Sequence, residues 1–147
     1  MRSSMRIVIA AYIAAMNLLL IGGMIAVWPG GVPLAVPTDI RFLITAALAG
    51  ALGSFIHLST SFVSYVGTGS LQQSWALWYF LRPGIGAALA LVVYFALHAG
   101  LVSGAGDTSA AALNPYGVAA VAALSGMFSK QATEKLREIF ENICATK

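Results

Sequence analysis

The sequence predicts an all-α membrane protein with four transmembrane helices, a short interfacial helix and a C-terminal amphipathic cytoplasmic helix. Three observations support this fold class. The 147 residues are 59% hydrophobic and only 9% charged, whereas about 25% of the residues in an ordinary soluble domain are charged. The chain also contains four apolar segments that approach the roughly 20 residues needed to cross a bilayer. Finally, its lysines and arginines are distributed unevenly around those segments.

The four segments belong to one predicted transmembrane domain, residues 1–147. The spans are predicted at about residues 7–28, 42–66, 83–103 and 115–128. The first segment is longer than the roughly 7 to 15 apolar residues of a signal-peptide core, so we expect it to be retained as a span. The fourth is marginal in length, although Asn114 followed by Pro115 is typical of an N-cap and a first helical position.

The basic residues predict the orientation, because cytoplasmic connections carry an excess of lysine and arginine. With four spans and a cytoplasmic N-terminus, Arg41 is the only one of the 8 basic residues in an outer loop. The cytoplasmic ones are then Arg2, Arg6, Arg82, Lys130, Lys135, Arg137 and Lys147. Both termini are therefore predicted to be cytoplasmic. The bias also supports the fourth span, since the basic tail would lie outside without it.

The connection between the second and third spans is rich in aromatic residues. A short interfacial helix is predicted there, at about residues 71–81. Trp75, Trp78 and Tyr79 precede Arg82, and amphipathic aromatic side chains favour the headgroup level of a bilayer. These four residues are the predicted interfacial anchors. In so hydrophobic a chain we expect them to contact lipid, and no nucleic-acid partner is expected.

The segment 130–144 predicts an amphipathic cytoplasmic helix. Leu136, Ile139, Phe140 and Ile143 recur at helical spacing between charged residues. The apolar face that they form suits the bilayer surface, the underside of the spans or the same helix of a neighbouring subunit. A cytoplasmic protein partner is a further candidate for this face.

The second span contains an unusual row of small and polar residues, namely Gly50, Ser54, His57, Ser61 and Ser64. Their spacing of 4, 3, 4 and 3 residues places all five on one helix face. Small residues allow close helix packing and hydroxyls can bond across the interface, which favours a helix-packing seam. Ionisable residues within membranes also mark solute routes, so the same row could line a hydrated pore. Both interpretations stay open.

Two further polar residues lie within the predicted spans, Asn17 and His98. A single amide in an apolar helix most often fixes packing through an interhelical hydrogen bond. His57 and His98 lie at depths that differ by about 9 Å, counted at 1.5 Å per residue. We therefore expect no shared metal site, and no clustered Cys, His and carboxylate ligands suggest one. No cofactor or enzymatic activity is predicted, because phosphate-binding and nucleophile motifs are absent.

Several segments of the chain resemble parts of small, uncharacterised multi-pass proteins of bacteria. They are SYVG (64–67), SW (74–75), YFLRPGIGAALAL (79–91), NPYG (114–117) and FSKQATEKL (128–136). The resemblance covers about residues 50–143 and leaves the first span outside. It implies location in a bacterial inner membrane and carries no activity with it.

Two functions remain as predictions, and both involve a homo-oligomer, because four short spans bury little surface within one subunit. The first is a channel or pore for ions or small polar solutes, lined by the second span. The second is a structural or assembly module of the membrane that docks a partner through its amphipathic C-terminal helix.

Overall fold

The computed structural model describes residues 3–32, 35–70, 75–99 and 114–145, and these residues form five α-helices. The helices are α1 (Ser3–Val27), α2 (Thr38–Gly67), α3 (Ala76–His98), α4 (Pro115–Met127) and α5 (Ser129–Ala145). The all-helical prediction is confirmed.

Three of the helices, α1, α2 and α3, are long and apolar enough to cross a membrane. Their positions agree with the first three predicted spans, although α2 begins earlier than predicted and α3 extends further at its start. Residues 100–103 of the predicted third span lie outside the described residues. The chain is therefore compatible with a membrane protein built on three long apolar helices.

The fourth apolar helix, α4, has 13 residues. At 1.5 Å per residue it is about 20 Å long, shorter than a hydrocarbon core of about 30 Å. Its start agrees with the prediction, since the Asn114 side chain accepts a hydrogen bond from the Gly117 amide at 2.7 Å and Pro115 occupies the first turn. Length alone thus leaves the count of four spans unconfirmed.

The first four helices alternate in direction, as contacts between their ends indicate. Phe62 near the end of α2 contacts Tyr79 near the start of α3, with centroids 5.6 Å apart. Trp28, which follows α1, contacts Tyr116 at the start of α4 at 5.0 Å. One end of the bundle therefore holds the start of α1, the end of α2 and the start of α3, and we call it the basic end because Arg6 and Arg82 lie there.

The core lies around α2, which packs extensively against both α3 and α4 and also contacts α1. Two clusters of buried residues form it. The cluster towards the basic end includes Ile9, Phe55 and Tyr79. The other is built of smaller side chains, with Ala46, Ala90 and Ala122 among its members. Small residues in the second cluster allow α2, α3 and α4 to approach closely.

The structure corrects the prediction of a separate interfacial helix. Residues 76–81 are the first turns of α3, which continues through Pro83 without a break, while residues 71–74 lie outside the described residues. The third span was predicted to begin at about residue 83, whereas Pro83 lies inside α3, although proline has no N–H to donate within a helix. Side chains of other helices bond to carbonyl groups near it, Ser54 to Arg82 and Tyr12 to Phe80. The carbonyl that Pro83 leaves without its helical donor is that of Tyr79, four residues earlier, so these bonds join α3 to its neighbours and do not replace the one lost at proline.

Candidate functional site: a groove at the basic end of the bundle

The row of small and polar residues on α2 divides into a covered part and an open part. Gly50 belongs to the covered part. A Cβ added to it would meet the Gly86 carbonyl oxygen at 2.5 Å and the Ala90 side chain more closely still. A Cβ on Gly126 would in turn overlap the carbonyl oxygen of Gly50. Three glycines from three helices therefore meet at one crossing, where no side chain fits.

Ser54 lies one turn beyond this crossing and is also covered. It is 1% exposed, and its hydroxyl donates a hydrogen bond of 2.9 Å to the Arg82 carbonyl oxygen. This is a hydroxyl bonding across a helix interface, as in the packing interpretation of the row. Gly50 and Ser54 are thus placed in contact between α2 and its neighbours.

The next residues of the row, His57 and Ser61, lie on an open groove. His57 is exposed and Ser61 is half-buried. The groove has a volume of about 430 Å³. Its described lining consists of His57, Leu58, Ser61, Tyr65, Trp75, Trp78, Tyr79 and Arg82. It therefore combines the open part of the row with all four predicted interfacial anchors.

Arg82 supplies the positive charge of the groove. It is half-buried, and its Nε is buried without a hydrogen-bond partner among the described residues. The guanidinium Cζ lies 5.3 Å from the centroid of the Trp78 ring, within the range of a cation–π interaction. That contact orients the side chain; the Nε is closed off from the groove, while the terminal nitrogens are not among the buried unpartnered atoms of the described residues.

Aromatic rings form the walls of the groove. Tyr65 and Trp75 contact each other edge to face, with centroids 5.0 Å apart. Tyr79 is 3% exposed and is held by its edge contact with Phe62. Trp75 and Trp78 are 37% and 50% exposed. One side of the groove is thus fixed by packing, while its tryptophans remain partly exposed.

No carboxylate neutralises Arg82 within the described part of the chain. Asp39 lies in the first turn of α2, at the opposite end of the bundle. The other described carboxylates, Glu134, Glu138 and Glu141, are on α5. Glu138 and Glu141 pair with Lys135 and Arg137 at 2.6 and 2.7 Å. The groove consequently has a net positive character.

The remaining polar residues predicted as sites lie away from this groove. Ser64 is exposed near the end of α2 and is not in the described lining. Asn17 differs from its prediction, because its Nδ2 donates to the Ile13 carbonyl at 3.1 Å and so bonds within its own helix. His98, the last residue of α3, lies 3.5 Å from the Tyr94 hydroxyl through Nε2. In the described ranges, no three His, Cys, Asp or Glu side chains are grouped as metal ligands.

The apolar face of α5 is the second feature with functional potential. Leu136 and Ile139 are half-buried, whereas Phe140 and Ile143 are 67% and 51% exposed. The helix contacts α3 and α4, yet it has no fully buried residue among those described. Its two ion pairs involve other positions of the helix. The predicted face thus exists and is largely uncovered by this chain.

Sequence reasoning singled out six of the eight residues that line the groove, missed Leu58 and Tyr65, and did not predict the groove itself. His57 and Ser61 were assigned to a seam and Arg82 to an anchor, on different predicted elements. The convergence of Gly86 and Gly126 on Gly50 had no sequence signal beyond their small size.

Comparisons of the chain with models of known protein families, with curated proteins and with solved structures found no match.

Proposed function

We propose that this chain is a multi-pass membrane protein that acts as a self-assembling structural module, in which α5 of one copy pairs with α5 of another. The observation that carries this proposal is the uncovered apolar face of α5. Ala132, Leu136, Ile139 and Ile143 follow one another at intervals of 4, 3 and 4 residues, which is the spacing of a helix-pairing seam. Phe140 extends the face on one side.

The shortness of α5 is compatible with pairing because the helix is tethered. A helix of 17 residues offers only about two heptads, fewer than an isolated coiled coil needs for stability. Copies held in one membrane meet at a much higher effective concentration than free helices do. The spans add further contact area, since only 17% of the apolar stretch of α1 is buried within the chain.

The proposed setting is a bacterial inner membrane with both termini cytoplasmic and four crossings. Support for the orientation comes from the basic residues, because Arg6, Arg82 and the basic tail then face the cytoplasm. Support for α4 as the fourth crossing comes from its packing against α2 and α3. A short helix can lie at membrane depth where protein covers its backbone.

Subunit mass tests the assembly proposal. The purified chain in detergent should have the mass of two or more copies, and Phe140→Glu should reduce it to one copy because the added charge would be buried in the α5 interface. Gln131→Glu is the matched control, since Gln131 is exposed on the polar side of the same helix. A wild-type mass of one chain, or equal effects of the two substitutions, would refute pairing through α5 and favour the bilayer or another protein as its partner.

A channel is the second candidate, favoured by the opening of His57 and Ser61 into the groove. Because Gly50 and Ser54 are covered by neighbouring helices, a route along the whole row is closed within one chain and would have to run between subunits. Reconstituted liposomes should then pass ions or small polar solutes, and His57→Phe should change that flux. Wild-type liposomes that pass none would end this candidate. We propose no enzymatic activity and no cofactor for either function.

A further inference from the structure

We propose that the groove at the basic end binds a phosphate group carried by a membrane amphiphile, such as the headgroup of an anionic phospholipid. The proposal goes beyond assembly or transport and depends on neither. It rests on unpartnered donors that converge from two helices, the absence of a counter-ion for Arg82 among the described residues, and walls suited to an amphiphile.

The Arg82 guanidinium is incompletely hydrogen-bonded. A guanidinium has five N–H donors and no acceptor, and a buried donor without a partner is costly. The buried Nε of Arg82 has no partner among the described residues, and the recorded contact of the group is the Trp78 ring. An anion in the groove would supply acceptors to the terminal nitrogens of the group, which are not among its buried unpartnered atoms.

Neighbouring hydrogen-bond donors on α2 also lack partners among the described residues. Hydroxyls in helices commonly bond to the carbonyl one turn back, and Ser59 and Thr60 do so at 2.8 and 3.1 Å. Ser61, which lies on α2 and lines the groove, makes no such bond among the described residues. His57 can donate through one ring nitrogen even when neutral. Three side chains from α2 and α3 thus offer donors to one space.

Phosphate is the anion that suits these donors best. Phosphate presents several oxygens in a compact tetrahedral group, and arginine binds two of them in a fork. The remaining oxygens suit single donors such as Ser61 and His57. With the described carboxylates elsewhere, nothing described in the groove repels a negative charge.

The shape and polarity of the groove favour an amphiphilic ligand. A volume of about 430 Å³ lies within the roughly 300 to 1,000 Å³ of small-molecule sites. Leu58, Trp75 and Trp78 provide an apolar border, and tryptophans of this kind favour the headgroup level. A ligand with a phosphate and an adjoining apolar part therefore fits better than a fully polar anion.

Native mass spectrometry of the purified full-length chain in detergent tests this proposal. Dioleoylphosphatidylglycerol should remain bound at one molecule per chain, whereas dioleoylglycerol, which has the same acyl chains and no phosphate, should not. Arg82→Gln should weaken phosphatidylglycerol binding about 10-fold or more, as expected for loss of a charge-assisted bond. Arg41→Gln removes the same charge at the opposite end and should change binding less than about 2-fold, far below one such bond.

Added inorganic phosphate identifies the source of the phosphate group. Failure of millimolar phosphate to displace phosphatidylglycerol would support a lipid ligand, and one-to-one binding of phosphate alone would support the same donors with a soluble ligand. If Arg82→Gln fails to fold, Ser61→Leu is the alternative variant. It keeps Arg82 but fills part of the groove, and it should also lower phosphatidylglycerol binding. Equal retention of the two lipids by the wild type would overturn the proposal, and that comparison requires no variant.

Discussion

The Ser54 hydroxyl on α2 donates a 2.9 Å hydrogen bond to the carbonyl oxygen of Arg82 on α3, immediately before Pro83. This bond lies between the glycine crossing and the groove. Ser54 belongs to the covered part of the α2 row, and Arg82 lines the open groove beside it. The bond therefore fixes the backbone of the residue whose side chain supplies the positive charge of the groove.

Ser54→Ala should lower the free energy of unfolding by about 1 kcal/mol, because it removes this interhelical bond and leaves a small void. Unfolding of the purified chain in mixed detergent micelles measures the difference. Ser64→Ala is the matched control on the same helix, where the serine is exposed, and it should have no measurable effect. Equal loss in the two variants would contradict an interhelical role for Ser54.

Gly126→Ala should destabilise the chain by about 1 to 3 kcal/mol, the usual cost of overpacking. The added methyl would overlap backbone atoms of Gly50, and backbone cannot yield as a flexible side chain can. Gly84→Ala provides a control of opposite sign, since nothing lies within 4 Å of a Cβ there. Alanine in that open helical position should be neutral or stabilising by up to about 1 kcal/mol. The same unfolding assay distinguishes the two, and a tolerated Gly126→Ala would refute the close crossing.

The helices could be predicted because their signals are local. Apolar length placed α1 and α2, and Asn114 with Pro115 placed the start of α4. The extent of α3 could not be predicted from local rules, because an internal proline is unfavourable in a helix, whereas the contacts that hold α3, such as the bond from Ser54 to the Arg82 carbonyl, come from residues far away in the sequence.

The same distinction applies to the candidate site. Helical spacing correctly puts Ser54, His57 and Ser61 on one side of α2. Which of them is covered depends on how closely α3 and α4 approach, and that depends on glycines in three separate segments meeting at one crossing. The prediction of an interhelical hydrogen bond for Asn17 differs from the structure for a related reason. Its amide donates to the Ile13 carbonyl within its own helix, and residue spacing does not predict which acceptor an amide takes.

Asn114→Ala should destabilise α4 by about 1 kcal/mol, the typical cost of losing an N-cap side chain. The 2.7 Å bond from the Gly117 amide to Asn114 Oδ1 would be lost, and a helix of 13 residues has few other bonds to compensate. Asn114→Asp keeps an acceptor and should retain stability. Amide hydrogen exchange at Gly117 and Val118 measures the effect locally, and unchanged protection in Asn114→Ala would show that the cap contributes nothing.

Water access along the α2 row should change between Ser54 and His57. In a Cys144→Ser background, which removes the exposed native thiol, single cysteines at positions 54, 57 and 61 can be treated with a membrane-impermeant thiol reagent. In a chain stripped of lipid by detergent exchange, His57→Cys and Ser61→Cys should react, because both positions line the open groove. Ser54→Cys should react at least about 10-fold more slowly, since Ser54 is 1% exposed and buried thiols in apolar surroundings are inert.

The comparison is internal to one helix, so differences in expression or micelle size affect all three variants alike. Mass spectrometry of the labelled chain gives the rates. Equal reaction at positions 54 and 57 would mean that water reaches the glycine crossing and would favour a pore along the whole row. Lack of reaction at 57 and 61 in the lipid-stripped chain would mean that a second copy covers the groove, whereas protection that appears only when phosphatidylglycerol is added back would agree with a lipid in the groove. A sharp change between 54 and 57 is the result that the covered crossing and the open groove require.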